Sequence, residues 1–402
     1  MKKLILIPIL LLLSVPSLSS LNDISFVQKN LDLAEVQMSG MIKVVDDSPL
    51  HPRSIKKDGS LDLIKSSDWT SGFFPGCLWF IYKFTKEKKW EDAAEKYTDD
   101  EETEEFNATT HDMGFKMFSS YGNGYKLISN ENYKKILIQS AKTLCTRFNP
   151  NVGCIRSWDH TKDKWEYPVI IDNMMNLELL FWATEVSGDS TYYKIAVAHA
   201  NTTLKNHIRK DYSTWHVVNY DSVTGKVISK GTHQGYSDSS CWSRGESWAI
   251  YGFTMCYRYT KDEKYLKIAQ HIAGYILNNK NLPKDMVPYW DYDDPDIPNT
   301  ERDASAAAIM CSAFYELSTY SGSLGKKYKN AADKILQSLS SPKYMAESGK
   351  NDNFILMHSV GSKPGNSEVD VPLIYADYYF LEANLRKMEI ERNSNDYSKI
   401  DW

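Results

Sequence analysis

The amino-acid sequence predicts an all-α fold, a closed (α/α)6 barrel of six helical hairpins within 402 residues. The first observation behind this prediction is a loosely repeated unit, in which an apolar helix, a polar turn and an amphipathic helix follow one another. The second is that six copies of the unit account for twelve helices. The third is a weak strand signal, since apolar residues mostly recur at helical spacing.

The apolar helix of each hairpin is predicted to lie inside the ring, because apolar and small residues occupy most of its positions. These inner helices are expected at 69–84, 111–128, 172–186 and 241–259, from Arg302 onward, and at 371–387. The amphipathic helices are predicted to lie outside, each after a polar turn. They are expected in the segments that start at Phe84, Ile128, Val186, Tyr259 and Tyr328, and an N-terminal helix at about 24–44 completes the sixth pair.

The outer helix after Tyr259 shows the helical periodicity most clearly. Its apolar residues follow the i, i+3, i+4, i+7 spacing of one helix face, and they are Tyr265, Ile268, Ala269, Ile272, Ala273 and Ile276. An open helical solenoid is the competing architecture. Closure is preferred because the inner helices begin with dense polar and aromatic clusters, which one rim of a ring would bring to a central cleft. The segments STWHVVNYD and GKVISKG predict a small β-hairpin over this rim.

The composition limits the classes of function. A net charge of −5 argues against a nucleic-acid partner, since such proteins usually present a basic face. Aromatic residues make up 13% of the chain, with 11 Trp and 26 Tyr, which suits either a carbohydrate-binding cleft or a helical core. The six cysteines are scattered without zinc-ligand spacing, so no metal site is predicted, and disulfide pairing stays open.

The first twenty residues, MKKLILIPILLLLSVPSLSS, have the order of a secretory signal peptide. Lys2 and Lys3 precede an apolar run that is too short to span a bilayer, and small residues follow at Ser17 and Ser19. An uncleaved membrane anchor is the alternative. We expect residues 1–20 to be a signal peptide and residues 21–402 to be a single catalytic domain, periplasmic or secreted, with no membrane association after cleavage.

Two aspartates stand at the predicted starts of inner helices, Asp112 in HDMGF and Asp172 in IIDNMMN. Helix capping is the simple explanation, because free backbone amides and the helix dipole stabilise a carboxylate there. The apolar neighbours of both residues favour a second explanation. If the two carboxyl groups meet in an apolar pocket, one stays charged and the other keeps its proton near neutral pH, as a general acid requires.

The segment SSCWSRGESWAIYGF places Arg244 in the first turn of an inner helix, where a positive charge opposes the helix dipole. A guanidinium between Trp242 and Trp248 can hold a planar carboxylate with two hydrogen bonds, while an indole lines a sugar face. A surface ion pair of Arg244 with Glu246 or Asp238 is the alternative.

Further polar candidates flank this segment. Gln234 lies just upstream in GTHQGYSDSS, which has the composition of a binding loop, and His216 lies in the predicted hairpin. A structural role is the alternative for the histidine.

Together these segments resemble glycoside hydrolase family 88, the unsaturated glucuronyl hydrolases. The matching segments are DWTSGFFPG, HDMGF, IIDNMMN, STWHVVNYD, HQGYSDSSCWSRGESWAIYGF and SEVDVPLIYADYYFLEA, in order along nearly all of the mature chain. The long central segment is the most specific. The resemblance implies an (α/α)6 barrel that needs no cofactor or metal. It implies as substrate an oligosaccharide with a 4-deoxy-4,5-unsaturated uronic acid at its non-reducing end, the product of a polysaccharide lyase.

The resemblance also implies a role for each candidate residue. Asp172 would protonate C4 of the vinyl ether and then activate the water that adds at C5, and the resulting hemiketal opens to release the unsaturated sugar. Asp112 would orient the ring and tune its partner. The implied substrate contacts are Arg244 near the uronate, Trp242 and Trp248 by stacking, His216 and Gln234 through polar groups, and Trp69 in the cleft wall.

The loop HSVGSKPGNSEVD suggests a further contact with substrate. Family members that act on sulfated glycosaminoglycan fragments hold them with serines and a lysine in such a loop, which points to Ser359, Ser362 and Lys363. Here the lysine directly follows the second serine, and a solvated glycine–proline turn is the alternative. Lys230 and Thr232 either touch the second sugar or shape their own loop.

Two other classes of protein fit parts of the pattern. An unsaturated rhamnogalacturonyl hydrolase of family 105 has a similar fold and chemistry, but its central segment differs. A non-catalytic periplasmic sugar-binding protein is the second, and the presence of both Asp112 and Asp172 argues against it. The sequence predicts a monomer or weak homo-oligomer and does not indicate the uronide, linkage or sulfation of the substrate.

Overall fold

The structure, a computed structural model, describes residues 18–46, 48–160, 163–394 and 396–400. Over these ranges the chain forms twelve α-helices, one π-helix, short 3-10 helices and nine short strands. The first helix begins at Leu18, and residues 1–17 of the predicted signal peptide lie outside the described residues. Within the described ranges, no helix combines the length and apolar character needed to cross a membrane.

Six inner segments form a closed ring. They are α2 (Phe73–Thr85), the π-helix Gly114–Gly122 with α4 (Asn123–Ile128), the 3-10 helix Ile171–Asn176 with α6 (Leu177–Ser187), α8 (Ser243–Thr260), α10 (Ala304–Tyr320) and α12 (Ile374–Arg392). Each inner segment packs against the next, and α12 packs against both α10 and α2. The predicted (α/α)6 barrel is therefore confirmed, and the open solenoid is excluded.

Six outer helices surround this ring. They are α1 (Leu18–Val45), α3 (Lys88–Asp99), α5 (Glu131–Cys145), α7 (Ser190–Asn206), α9 (Glu263–Asn278) and α11 (Gly325–Leu339). The predicted apolar face of α9 is buried at every one of its six positions, from Tyr265 to Ile276. The helix α1 packs against α12, so the first and last helices form the sixth pair as predicted.

Local signals define where the hairpins turn. The outer helices α5, α7 and α9 begin after Asn130, Asp189 and Asp262, whose side chains each accept a hydrogen bond from the backbone N–H two residues later. The inner helices α2 and α8 end at Lys86 and Lys261 in the left-handed conformation, which ends a helix by redirecting the chain.

Four small antiparallel sheets lie in the loops. Their strands are β1 (His51–Ile55), β2 (Leu61–Ile64), β3 (Phe148–Asn149), β4 (Cys154–Ile155), β5 (Tyr167–Ile170), β6 (Val217–Tyr220), β7 (Val227–Gly231), β8 (Ser359–Ser362) and β9 (Ser367–Val371). The predicted hairpin is β6–β7, and β5 joins it to make three strands. Three of these sheets lie just before inner segments of the barrel. The sheet β1–β2 precedes α2, the sheet β5–β6–β7 contains the strand that leads into the 3-10 helix at 171–176, and the sheet β8–β9 precedes α12. They therefore flank the end of the barrel where the inner helices begin.

Close packing brings two of these helix starts together. A Cβ atom at Gly114 would lie 2.6 Å from the Cα atom of Asn176, so only glycine permits this approach. The backbone N–H of Phe115 also donates a hydrogen bond to the Asn176 side chain, at 3.0 Å. The segments that carry Asp112 and Asp172 are thereby held side by side. All six cysteines are free, and five are buried, which answers the open question of disulfide pairing.

Candidate active site

Asp172 lies where β5 ends and the 3-10 helix begins, and only 8% of it is exposed. Pairing of β5 with β6 fixes its backbone, because the N–H of Ile171 donates to the carbonyl of His216 at 3.0 Å. Burial raises the pKa of the Asp172 carboxyl group to about 7, and the negative charge of Asp112 adds to the rise. The positive charge of Arg244 opposes this rise. A proton is thus available on Asp172 near neutral pH.

Asp112 lies just before the π-helix, and its backbone carbonyl accepts a hydrogen bond from the N–H of Lys116 at 2.9 Å. Its carboxylate accepts a hydrogen bond from the Thr110 hydroxyl at 3.0 Å and lies 3.2 Å from Nε2 of His111. Nδ1 of His111 is 2.5 Å from the carbonyl of Ser157, and burial lowers the pKa of this histidine. The Asp112 carboxylate therefore does not cap the helix, and its charge acts on Asp172, as the second explanation predicted.

His216 contacts the same carboxyl group. Its Nε2 lies 3.6 Å from Oδ2 of Asp172, and burial lowers its pKa well below the usual value, so the ring is neutral. The backbone N–H groups of His233 and Gln234 point at Nδ1, at 3.2 and 3.3 Å. Because Nδ1 accepts these hydrogen bonds, the single ring proton resides on Nε2 and faces Asp172.

Arg244 is 1% exposed and already bonded within the protein. It donates to the carboxylate of Asp303 at 3.1 Å and to the carbonyls of Gly361, at 2.6 Å, and Val360. Its guanidinium lies 5.5 Å from the ring centre of Tyr375. These partners explain how a cation is tolerated in the first turn of α8.

Neither of the alternative ion pairs of Arg244 forms. Glu246 accepts hydrogen bonds from the backbone and hydroxyl of Thr214, at 2.6 and 2.8 Å, and burial raises its pKa to about 7. Asp238 accepts from the backbone N–H of Thr232 at 2.9 Å. Both acids hold the loops on either side of His216 in place.

The two indoles of the central segment differ from the prediction that they stack on a sugar. Trp248 is fully buried, with ring centres of Phe115 and Tyr379 at 5.1 and 5.5 Å, and its indole opposes the rise in the pKa of Asp172. Trp242, 4% exposed, lies 4.5 Å from the ring of His216 and 4.6 Å from the guanidinium of Arg244. These rings therefore support the polar residues instead of presenting an open face.

Trp69 keeps part of its surface accessible. Its ring packs against Phe73, Phe115 and Tyr375, with centres 5.1 to 5.9 Å apart. Among the three tryptophans predicted to contact substrate, it is the one that the structure leaves partly exposed at the start of α2.

The remaining residues of the β6–β7 region divide into two groups. Gln234 donates through Nε2 to the carbonyl of Gly361 at 3.1 Å, and the hydroxyl of Thr232 lies 3.2 Å from Nδ1 of His216. Gln234 therefore lies beside a partner of Arg244, and Thr232 lies beside the histidine that contacts Asp172. Lys230 instead donates to the carbonyl of Asn206 at the end of α7, at 2.5 Å. This contact favours the loop-shaping alternative for the lysine.

The β8–β9 loop does not present the arrangement that sulfate binding would need. Ser359 is fully buried, and Ser362 accepts a hydrogen bond from the N–H of Gly365 at 3.3 Å. Lys363 donates to Glu301 at 2.5 Å and to Thr300 at 2.6 Å, and it lies 3.3 Å from Asp294. Two carboxylates therefore neutralise this lysine, and the structure supports the turn alternative.

Three residues near the acid pair were not predicted as site residues, namely His111, Asp303 and Tyr375. Asp303 caps α10 by accepting hydrogen bonds from the backbone of Ser305 and Ala306, at 3.0 and 3.2 Å. The segment RDASAAA carries this capping signal, but only the folded chain shows that Asp303 also holds Arg244. Over the described ranges, no group of three or more His, Cys, Asp or Glu side chains has the geometry to hold a metal ion.

A closed ring of six helical hairpins, with paired carboxyl groups among aromatic residues at the inner-helix starts, defines the class of six-hairpin glycosidases. The chain belongs to glycoside hydrolase family 88, because the family model described as Glycosyl Hydrolase Family 88 matches residues 41–386.

Relatives in this family agree with the fold. The chain is 52% identical to an unsaturated glucuronyl hydrolase of Formosa agariphila over 81% of this chain and 82% of the relative. It is 34% identical to an unsaturated chondroitin disaccharide hydrolase of Streptococcus pneumoniae, over 82% and 84% of the two chains. A crystal structure of an unsaturated glucuronyl hydrolase specific for heparin superimposes with a TM-score of 0.89 at 44% identity, covering 92% of this chain and 98% of that one.

Proposed function

We propose that this protein is an unsaturated glucuronyl hydrolase acting on unsaturated oligosaccharides that lyases produce from glycosaminoglycans. The observation that carries the proposal is Asp172, a buried carboxyl group whose pKa is raised to about 7 beside a second carboxylate. The family and relatives with this activity support it. Loss of the 4,5-double-bond absorbance of such disaccharides tests it directly.

The proposed reaction begins with proton transfer from Asp172 to C4 of the vinyl ether. The cation formed at C5 is stabilised by the ring oxygen, and the Asp172 carboxylate then accepts a proton from the water that adds at C5. The resulting hemiketal opens at the bond between C5 and the ring oxygen, which gives a ketone at C5 and leaves C1 as a hemiacetal. This hemiacetal collapses to an aldehyde and expels the second sugar with a free hydroxyl group. The Nε2–H of His216, 3.6 Å from the carboxyl group, is placed to stabilise the charged form between the two steps.

Arg244 supplies fixed positive charge to this pocket. Its charge lowers the pKa of Asp172, which supports a pocket that the guanidinium and the carboxyl group share. Because Asp303 and two carbonyls hold the guanidinium, we infer that it attracts the substrate carboxylate from a rigid position.

Residues 1–20 support the further proposal that the protein is exported to the periplasm or the medium. Sequencing the N-terminus of the mature protein would test whether this segment is removed.

We expect Asp112→Asn to shift the pH dependence of catalysis to lower pH. The protonated form of Asp172 is the acid, so activity falls as the pH rises through its pKa of about 7. Asp112 raises that pKa, and removal of its charge lowers it. The pH profile of kcat/KM, followed by double-bond absorbance, measures the position of the basic limb. The exposed Asp58→Asn is the matched control, and a basic limb that stays in place or moves upward would contradict the assignment.

Lys363→Ala is expected to leave the preference between sulfated and unsulfated disaccharides unchanged, within about twofold, because Glu301 and Asp294 already neutralise the lysine. The ratio of kcat/KM for 6-sulfated and unsulfated chondroitin disaccharides measures this preference. Glu301→Gln is the matched variant, since it removes one of the two neutralising charges and should raise the ratio. A selective loss of activity toward the sulfated disaccharide in Lys363→Ala would show that the lysine does read sulfate.

A further inference from the structure

A groove separate from the candidate active site lies on the outside of the barrel, between the outer helix α9 and the tight turn at 209–213. Its volume is about 380 Å³, and none of the residues assigned to catalysis lines it. Its lining includes the side chains of Asp211, Tyr212, Gln270, His271 and Asn278, with Gly274 on the helix between them. The groove combines an accessible aromatic ring with amide and carboxylate groups.

Tyr212 is held in a conformation that residues with a Cβ atom rarely adopt. Its φ is +71°, and the turn that fixes it has hydrogen bonds from Tyr212 N–H to the Arg209 carbonyl, at 3.0 Å, and from Arg209 N–H to the Ser213 carbonyl, at 2.8 Å. Burial of the ring does not offset this strain, since 39% of the residue is exposed. The ring instead stacks on His271, with centres 4.1 Å apart and planes within 6°.

Gly274 is a second locally unfavourable choice on the same groove. It lies inside α9, where glycine is less favourable than alanine by about 1 kcal/mol. Close packing does not require it, because a Cβ atom at this position would have no neighbour within 4 Å. Because Gly274 has no side chain, the floor of the groove stays open. Residues that lower the stability of the fold and are not required by packing are expected at functional sites.

The lining indicates the chemistry of the ligand. One face of the Tyr212 ring lies on His271, and the exposed part of the ring offers an apolar surface to the C–H groups of a pyranose. Oδ1 of Asp211 already accepts from Ser213, and Nε2 of Gln270 already donates to Ser321. The second oxygen of Asp211, the amide oxygen of Gln270 and the amide of Asn278 are the groups that can bond to sugar hydroxyl groups. No lysine or arginine of the described chain lines the groove, so it has no cation to pair with a sulfate or uronate. We propose that this groove is a non-catalytic binding site for neutral pyranose residues of an oligosaccharide.

This site is separate from the acid pair, and its test does not depend on the proposed reaction. Isothermal titration of the full chain with cellohexaose, mannohexaose and saturated hyaluronan hexasaccharide compares neutral with charged probes, none of which carries a 4,5-double bond. We expect a neutral hexasaccharide to bind more tightly than the hyaluronan fragment. If neither neutral probe binds, or if hyaluronan binds more tightly than both, the proposal is wrong.

Two variants are designed to remove the site while keeping the fold. Tyr212→Gly removes the ring and relieves the positive φ, and Gly274→Leu fills the floor of the groove while improving the helix, so neither is expected to lower the melting temperature. Each should weaken binding of the neutral hexasaccharide about tenfold or more and leave kcat/KM for an unsaturated disaccharide within about twofold. The control Tyr193→Ala alters an exposed tyrosine on α7. Unchanged binding in both site variants would overturn the proposal.

Discussion

Asp172→Asn is expected to lower kcat for lyase-generated unsaturated disaccharides by about a thousandfold, because the amide cannot donate the proton that C4 requires. Substrate affinity should remain measurable, since the amide has nearly the shape of the carboxylic acid that it replaces. Double-bond absorbance gives kcat, and calorimetry gives the affinity. Asp62→Asn, a change in the β1–β2 hairpin, is the control. Turnover close to that of the wild type would remove Asp172 from its proposed role.

A stability measurement separates this effect from misfolding. The pKa of Asp172 is about 7 in the folded state and 3.8 as its ordinary value, so the folded protein retains a proton that the unfolded chain releases. The contribution of Asp172 to the free energy of unfolding of the wild type therefore falls as the pH rises from about 4 to 7. The asparagine variant lacks this contribution. The difference between its melting temperature and that of the wild type should therefore be more favourable to the variant at pH 8 than at pH 5. A loss of relative stability at pH 8 would contradict the burial argument.

Arg244→Met is expected to destabilise the fold by about 3–5 kcal/mol, because it leaves the fully buried carboxylate of Asp303 without a cation. The carbonyl of Val360 also loses its donor from Arg244, and that of Gly361 keeps only the hydrogen bond from Gln234, so β8 is held less firmly against α8. Urea unfolding measures the change in the free energy of unfolding.

A second variant shows whether the cost arises from the unpaired charge. Arg244→Met combined with Asp303→Asn removes both charges and should recover part of the lost stability. Arg244→Lys keeps a cation but lacks the fork that reaches a carboxylate and two carbonyls together, so we expect an intermediate value. A loss below about 1 kcal/mol in the single methionine variant would mean that solvent reaches Asp303 and that the pair is not buried as described.

The helices were predictable because their signals are local. The apolar face of α9 repeats over four turns, and the polar residues Asp189 and Asp262 mark helix starts by capping them. These properties depend on residues within four positions of one another, so the amino-acid sequence displays them directly. The closure of the ring was expected from the count of six hairpins together with the polar and aromatic clusters at the starts of the inner helices.

The strands other than β6 and β7 were not predictable in the same way. The strands β3 and β4 have two residues each, and β5 has four that are all buried, which gives no alternation to detect. Such strands form because neighbouring loops are brought together by the barrel. Their existence depends on tertiary structure more than on β propensity.

The site residues that stand at helix starts could be predicted from the sequence. The contacts between residues that are distant along the chain could not. Asp112 and Asp172 were expected to meet, and the structure places them in one electrostatic environment. The partners of Arg244, in contrast, lie 59 to 117 positions away along the chain. Sequence spacing also cannot distinguish a tryptophan that faces a cleft from one that packs beneath it, which is why Trp248 was expected to contact a sugar.

The pairing of α1 with α12 ties the first described helix to the last one. Tyr375 and Tyr379 of α12 lie against Arg244 and Trp248, and both of these residues influence the pKa of Asp172. An aspartate exposed to water has a pKa of about 3.9 and is ionised near neutral pH. We therefore expect a chain truncated before α12 to lose the raised pKa of Asp172, even though both acidic residues would still be present.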